Sequence, residues 1–150
     1  MRQELAVLVE TYLNSQNWKF NYNSTKGLFT FNMSAKNFTG VRVVVQINDD
    51  SIIAYAIAPI NVPEEKRQAA CEFIARANYG LKVGTLEMDM NDGEIRNRTY
   101  IIAKDALPNL ADVEKCVDFS FLVLDRYGKG LLPMIYGNLT PEAAVNLAES

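Results

Sequence analysis

The sequence has 150 residues and a formal net charge of −3, from 18 acidic and 15 basic side chains, and it has no histidine. Its hydrophobic fraction of 49%, against 22% charged residues, is typical of a folded chain, and we expect a single domain over residues 1–150. The lack of histidine excludes Ser-His-Asp triads, HExxH metal sites and imidazole pH switches. The acidic balance argues against nucleic acid as a partner, because a phosphate-binding face needs clustered Lys and Arg.

Cysteine usage and hydropathy predict a cytoplasmic protein. Cys71 and Cys116 lie in stretches predicted to be helical, without the CxxC spacing of a metal or redox site. We expect both to be buried, reduced thiols that pack as small apolar side chains. The sequence opens with charged Arg2 and Glu4 rather than an apolar signal segment, and no stretch approaches the ~20 apolar residues of a membrane span.

The first half of the sequence predicts one helix followed by an antiparallel meander. Apolar residues recur at helical spacing from Leu5 to Leu13. The period then changes to two, as in strands, in the segments 18–22, 29–33, 41–47 and 52–60. The connections between these segments are too short for parallel crossovers, so we expect three or four antiparallel strands.

A second helix and a hairpin follow the meander. Pro63 and the acidic pair after it are typical of a helix start, and Gly80 is typical of a helix end. Beyond Gly80, two alternating segments flank Asp92-Gly93, a pair that favours a two-residue turn. That turn places opposite charges together on one face and apolar residues on the other, through the pairs Asp89–Arg96, Glu87–Arg98 and Met90–Ile95.

The rest of the chain is predicted to be helical. Apolar residues at helical spacing extend from Leu110 to Tyr127, and we expect Gly128 and Gly130 to break this helix. A short apolar segment, 131–136, precedes Thr140-Pro141-Glu142, which is typical of the start of a last helix. The sequence therefore predicts an α+β fold with a single antiparallel β-sheet of about five to six strands, helices packed on it, and the order α-β-β-β(-β)-α-β-β-α.

No pattern in the sequence predicts a catalytic, cofactor or metal site. Asp89 to Glu94 resembles a calcium loop only faintly, because the glycine and the final glutamate are misplaced. Gly128-Lys129-Gly130 follows a helix, whereas a phosphate-binding loop precedes one. The acidic pairs at 49–50 and 64–65 lie where a turn and a helix start favour acids.

The predicted helices and strands do not account for the burial of all the apolar residues. The apolar residues beyond one helical stripe suggest either a homodimer or a C-terminal segment that folds back as a lid on its own helix. We favour the homodimer. The candidate protein-binding residues are Met88, Met90, Leu131, Leu132, Met134, Ile135 and Tyr136.

Three segments of the sequence resemble the YbjN-domain family of bacterial proteins, which are regarded as sensory transduction regulators. They are Asn61-Val62-Pro63-Glu64-Glu65-Lys66-Arg67, the run from Phe73 to Asn78-Tyr79-Gly80-Leu81, and the hairpin from Gly84 to Gly93-Glu94-Ile95-Arg96. The resemblance implies a fold like that of type III secretion chaperones, usually dimeric. It also implies protein binding rather than catalysis, and the family offers no catalytic residues to carry over.

These observations together predict a non-enzymatic protein-binding module, either chaperone-like or a regulator in bacterial signal transduction, with an unidentified protein partner. The alternative is a small-molecule-sensing domain or an unrecognised enzyme, which would need a closed pocket with convergent polar groups.

Overall fold

The computed structural model describes residues 1–150 as four α-helices and six strands. In chain order they are α1 (Arg2–Ser15), β1 (Asn21–Asn23), β2 (Leu28–Met33), β3 (Val41–Ile47), β4 (Ser51–Asn61), α2 (Arg67–Gly80), β5 (Thr85–Met88), β6 (Glu94–Ile102), α3 (Leu110–Tyr136) and α4 (Pro141–Glu149). A short 3₁₀ turn, Glu64–Lys66, precedes α2. The predicted fold class is confirmed, and α4 begins where the Thr140-Pro141-Glu142 signature predicts a last helix.

All six strands form one antiparallel sheet in the order β1-β2-β3-β4-β6-β5. The first four strands form the predicted meander. The chain then passes through α2 to the far edge of the sheet, and β6 returns between β4 and β5. This return places the long strand β6 inside the sheet and leaves the four-residue strand β5 at its edge.

The sheet has one buried face, on which the helices pack. Alternate residues of β2, β3, β4 and β6 are buried there, including Phe29, Val43, Ala54 and Ile95. Helix α3 contacts β3, β4 and β6, and α1 lies beside it against β3 and β4. Helix α4 packs on α3 and α2, so the helical layer is continuous. No helix is both long and apolar enough to cross a bilayer.

Helix α3 continues through Gly128 and Gly130, so the prediction that these glycines break it is wrong. A Cβ atom at Gly128 would lie 2.5 Å from a ring carbon of Phe38, and one at Gly130 would lie 1.9 Å from the Ala144 carbonyl oxygen. Both glycines are therefore points of close approach within a helix, where a side chain would not fit. Tertiary packing outweighs the low helix propensity of glycine at these positions.

The hairpin between β5 and β6 has a five-residue loop, Asp89–Gly93, so the predicted two-residue turn is wrong. Glu87 lies opposite Arg96 and Met88 opposite Ile95, a shift of two residues from the predicted register. The loop is widened by Asp89 and Asp92, whose carboxylates accept hydrogen bonds from the amides of Asn91 (2.8 Å) and Glu94 (2.9 Å). A shift of two residues leaves the paired side chains on the faces predicted for them, so Glu87 still shares a face with Arg96 and Arg98.

Asp125 of α3 holds the loop between β2 and β3 against the helical layer. Its buried carboxylate accepts hydrogen bonds from the backbone amides of Lys36 (3.2 Å), Asn37 (2.7 Å) and Phe38 (3.0 Å). The Asn37 side chain also donates to the Asp125 carbonyl oxygen at 2.9 Å. The carboxylate thus satisfies three backbone donors of a loop about 90 residues earlier in the chain.

Candidate functional site

The face of the sheet opposite α3 carries apolar and arginine side chains that no helix covers. We call its apolar and arginine residues the open face: Arg42, Val44, Ile53, Tyr55, Ile57, Arg96, Arg98, Tyr100 and Ile102. The polar residues Thr30, Asn32, Gln46 and Glu87 lie on the same side of the sheet. Tyr100 and Ile102 are 63% and 64% exposed. An antiparallel sheet with a solvated face normally carries polar residues there. On this side of the sheet most of the polar residues lie toward β2, whereas the exposed apolar residues are concentrated on β4 and β6. Contiguous exposed apolar residues of this kind are common where a protein contacts another molecule.

Charged groups on the open face are held in fixed positions. The Arg96 guanidinium lies 4.2 Å from the centre of the Tyr55 ring, and its Nε atom lies 2.7 Å from Oε1 of Glu87. Arg98 reaches the other oxygen of Glu87 at 3.7 Å, whereas Arg42 forms no ion pair. Tyrosine and arginine are enriched among the residues that dominate binding at protein interfaces. The open face therefore carries residue types that are common at protein interfaces.

A cleft of about 680 Å³ adjoins the open face beyond Thr85, the first residue of β5, where β6 continues to Ile102 without a neighbouring strand. We call it the end cleft. The loop after α2, the last residues of β6 and the first turns of α3 form its walls. Its volume lies within the usual range for ligand sites, roughly 300–1,000 Å³. The side chains that line it include Lys82, Val83, Arg98, Tyr100, Lys115 and Phe119.

Asn78 closes the outer edge of β5. Its side-chain amide donates to the Leu86 carbonyl oxygen, and its amide oxygen accepts from the Leu86 N–H, both at 2.9 Å. One side chain thereby replaces a neighbouring strand at this residue. This contact gives a structural role to Asn78 in the Asn78–Leu81 motif, whereas Tyr79 is 97% exposed.

Polar groups buried near the end cleft are structural. Asn97 donates to the carbonyl oxygens of Phe119 (3.2 Å) and Ser120 (3.0 Å), and Thr99 donates to that of Cys116 (2.6 Å). These bonds join β6 to α3. Burial raises the pKa of the Cys116 thiol, which keeps it protonated and weakly nucleophilic. Both cysteines are free, and Cys116 is buried while Cys71 is half-buried.

A second polar pair joins α1 to α3. The Tyr12 hydroxyl donates to Oδ1 of Asp118 at 2.5 Å. Burial raises the pKa of the Asp118 carboxyl, and the hydrogen bond from Tyr12 opposes that shift. Burial and the same hydrogen bond raise the pKa of Tyr12. A half-buried carboxyl with one phenol partner lacks the nucleophile and pocket of an active site. No three Cys, Asp or Glu side chains converge as a metal site would require.

The seven candidate protein-binding residues do not form one exposed surface. Leu131, Met134 and Ile135 are buried in the core of the chain itself, because α4 folds back over the end of α3. For these three the expectation of free surface is wrong, because they belong to α3 itself and α4 covers them. Leu132 and Met88 are half-buried against the core. Met90, in the hairpin loop, and Tyr136, at the end of α3, are exposed.

Sequence reasoning missed the open face as a candidate site. The sequence pattern accounts for Arg96 and Arg98 through cross-strand pairs, and it predicts residues 52–60 as a strand without saying what covers each of its faces. The signal was present in β4, where residues 52 to 58 are apolar at both odd and even positions. A strand that is apolar on both faces is either covered on both faces or contacts a partner on one of them.

The fold defines a class: an α+β domain of two layers, with helices on one face of an antiparallel sheet and the other face uncovered. A family model for YbjN, described as "Putative bacterial sensory transduction regulator", matches residues 6–132. The chain belongs to the YbjN family.

A solved structure shows a similar fold at low sequence identity. It is the crystal structure of YbjN, described as a putative transcription regulator from E. coli, with a TM-score of 0.53 and 14% identity. The similarity covers 85% of this chain and 84% of that one. No curated protein matches this chain significantly. At this identity the likeness supports the shared fold alone.

Proposed function

We propose that this protein is a non-enzymatic regulator that acts by binding a protein partner through the open face. The observation that carries the proposal is the set of Ile53, Tyr55 and Tyr100 beside ordered arginines on a sheet face without a covering layer. Burial of such a face by a partner removes apolar area from water, which is the main driving force of association. The binding serves either a chaperone-like or a signalling role.

Membership in the YbjN family supports the regulatory part of the proposal. Regulation through protein contact fits this chain better than regulation through direct DNA contact, because its net charge is −3. We place the function in the cytoplasm, since two free cysteines fit a reducing compartment.

Site-specific photo-crosslinking in the native host tests this proposal. A benzophenone amino acid replaces Tyr55, at the centre of the open face, and in a matched control it replaces Tyr79, which is exposed on α2. We expect from position 55 a discrete protein adduct whose mass differs from that of two copies of this chain, and none of that mass from position 79. Equal adducts from both positions, or none from position 55, would refute binding through the open face.

We propose in addition that the protein forms a homodimer through the open face, so that a second copy of the chain and the partner protein compete for the same surface. The C-terminal residues that first suggested a dimer are largely buried within one chain, whereas the apolar residues of the open face remain available. Light scattering coupled to size exclusion at micromolar concentration should give about twice the chain mass of 16.8 kDa. Tyr55→Glu should return the measured mass to that of one chain. A mass of 16.8 kDa for the unmodified protein would contradict the dimer.

A further inference from the structure

The last residues of β6 form an unpaired strand edge. The N–H and C=O of Leu86 point away from β6, toward Asn78. Because backbone groups alternate in direction along a strand, the N–H and C=O groups of Thr85 and Glu87 point toward β6. On β6 the backbone N–H and C=O groups of the even-numbered residues therefore point toward β5. In agreement with this, the N–H of the odd-numbered Ala103 points to the opposite side and donates to the Asp50 carbonyl oxygen. Because Thr85 is the first residue of β5 and lies opposite Arg98, the backbone groups of Tyr100 and Ile102 have no strand beside them.

The end cleft lies along this unpaired edge. Loop residues 81–84, which precede β5, leave the line of the strand at Gly84, whose φ is +94°. A Cβ atom at Gly84 would lie 2.7 Å from the Asn97 amide oxygen, so both the backbone angle and the space favour glycine there. The bend turns the chain out of the sheet and leaves open the position where a longer β5 would pair with residues 100–102.

The end cleft is cationic in an acidic chain. Lys82, Arg98 and Lys115 line it, against the single carboxylate of Asp112. Neither lysine forms an ion pair, and Arg98 has only a 3.7 Å contact with Glu87. A cluster of one sign in a cleft attracts ligands of the opposite sign. Apolar side chains lie between these charges, namely those of Leu81, Val83, Tyr100, Ile101 and Phe119.

We infer that the end cleft binds an extended peptide segment of a partner protein, with acidic and apolar residues in alternation, as an added strand beside residues 100–102 of β6. The inference rests on the proposed protein-binding function and adds the chemistry of the partner. The unpaired backbone groups give the peptide main-chain hydrogen bonds. Residues of the peptide alternate between the open face and the side of α3, so apolar and acidic side chains reach different walls.

Fluorescence anisotropy with two labelled six-residue peptides tests the charge preference. One probe alternates valine with glutamate, and the other alternates valine with lysine. We expect the acidic probe to bind and the basic probe to bind at least about tenfold more weakly. Lys82→Glu and Lys115→Glu should each weaken the acidic probe by about five- to tenfold. Lys129→Glu is the matched control, because Lys129 is exposed on α3 away from the cleft lining, and it should change affinity little.

A second arm tests the strand pairing itself. Tyr100→Pro removes the N–H that faces the cleft without removing a hydrogen bond to β4, as proline allows at a strand edge. It should weaken the acidic probe by about two- to tenfold relative to Tyr100→Ala, which keeps the N–H. An acidic probe N-methylated at alternate residues should lose affinity to the same degree, and it requires no change in the protein.

The outcomes separate this inference from the proposed function. Binding that the N-methylated probe retains in full, or equal binding of the two charged probes, overturns strand addition at the end cleft. Displacement of the acidic probe by free glutarate at equal concentration would show a small-anion site and would also overturn it. In each case a protein adduct at position 55 leaves the open face as a binding surface, and absence of that adduct refutes the proposed function separately.

Discussion

Removal of the Asp125 carboxylate is the perturbation with the most direct structural consequence. Asp125→Ala removes the acceptor from three backbone amides of the β2–β3 loop, two of them within 3.0 Å of the carboxylate. Asp125→Asn keeps the shape of the side chain but places an NH₂ group where one carboxylate oxygen accepted a hydrogen bond. The pair therefore separates loss of charge from loss of the whole group.

The expected magnitude follows from the burial of each donor. A hydrogen bond to a charged group contributes about 1.5–3 kcal/mol, and a buried donor left without a partner costs about 1–3 kcal/mol. Phe38 is buried and cannot regain a water partner, whereas Lys36 is exposed and can. We therefore expect Asp125→Ala to lower the free energy of unfolding by about 3–4 kcal/mol, and Asp125→Asn by about 1–2 kcal/mol.

Urea unfolding followed by circular dichroism measures both values. With a urea dependence near 2 kcal/mol per molar, the midpoint of Asp125→Ala should fall by about 1.5–2 M. Glu114→Ala is the control, because Glu114 is exposed on the same helix and forms no ion pair. Amide exchange at Asn37 and Phe38 should accelerate only in the Asp125 variants. A midpoint for Asp125→Ala equal to that of Glu114→Ala would show that the carboxylate does not hold the loop.

Three further predictions concern packing, pH and ion pairs. Gly130→Ala should lower the free energy of unfolding by about 2–3 kcal/mol in urea, because the new methyl group meets the Ala144 carbonyl. Gly80→Ala, with open space around it, should raise the free energy of unfolding by about 0.5 kcal/mol. Equal effects of the two substitutions would argue against the close contact between α3 and α4. Burial, and then the hydrogen bond to Glu149, raise the pKa of Tyr127 to about 12 from an ordinary value of 10.0. The unfolded chain then releases this proton first, so the contribution of Tyr127 to the free energy of unfolding should be constant below pH 10.0 and fall toward pH 12. The decline over this range should therefore be smaller in Tyr127→Phe. Glu87→Gln should cost less than about 1 kcal/mol by thermal unfolding, because both of its arginine partners are part-exposed; a larger loss would mean that the pairs stabilise the hairpin substantially.

The sequence predicted the features that depend on residues close together in the chain. Thr140 caps α4 by accepting a hydrogen bond from the Ala143 amide at 3.2 Å, as the Thr-Pro-Glu signature indicated. Strands β2, β3 and β4 follow their predicted alternation, and Gly80 is the last residue of α2. In each case the physical cause lies within a few neighbouring residues, so a local pattern is sufficient. Strand β1 covers only the end of the predicted segment 18–22, and its three residues are exposed.

The features that the sequence did not predict depend on distant partners. Gly128 stays helical because Phe38 packs against it, and Asp125 is buried because a loop about 90 residues away supplies its donors. The hairpin loop is positioned by Val62, whose amide donates to the Gly93 carbonyl oxygen at 2.8 Å. The open face was missed for the same reason, since a strand pattern does not state whether a second layer covers it.

The contact between Asn78 and Leu86 limits how many molecules can assemble on this sheet. With the outer edge of β5 closed and the other edge formed by the three-residue strand β1, neither edge offers a long template for end-to-end growth of strands. The short stretch at residues 100–102 is the other unpaired part of the sheet, and one added segment fills it. Strand addition at the end cleft is thus saturable at one segment per chain, and it leads to complexes of defined stoichiometry rather than to fibrils.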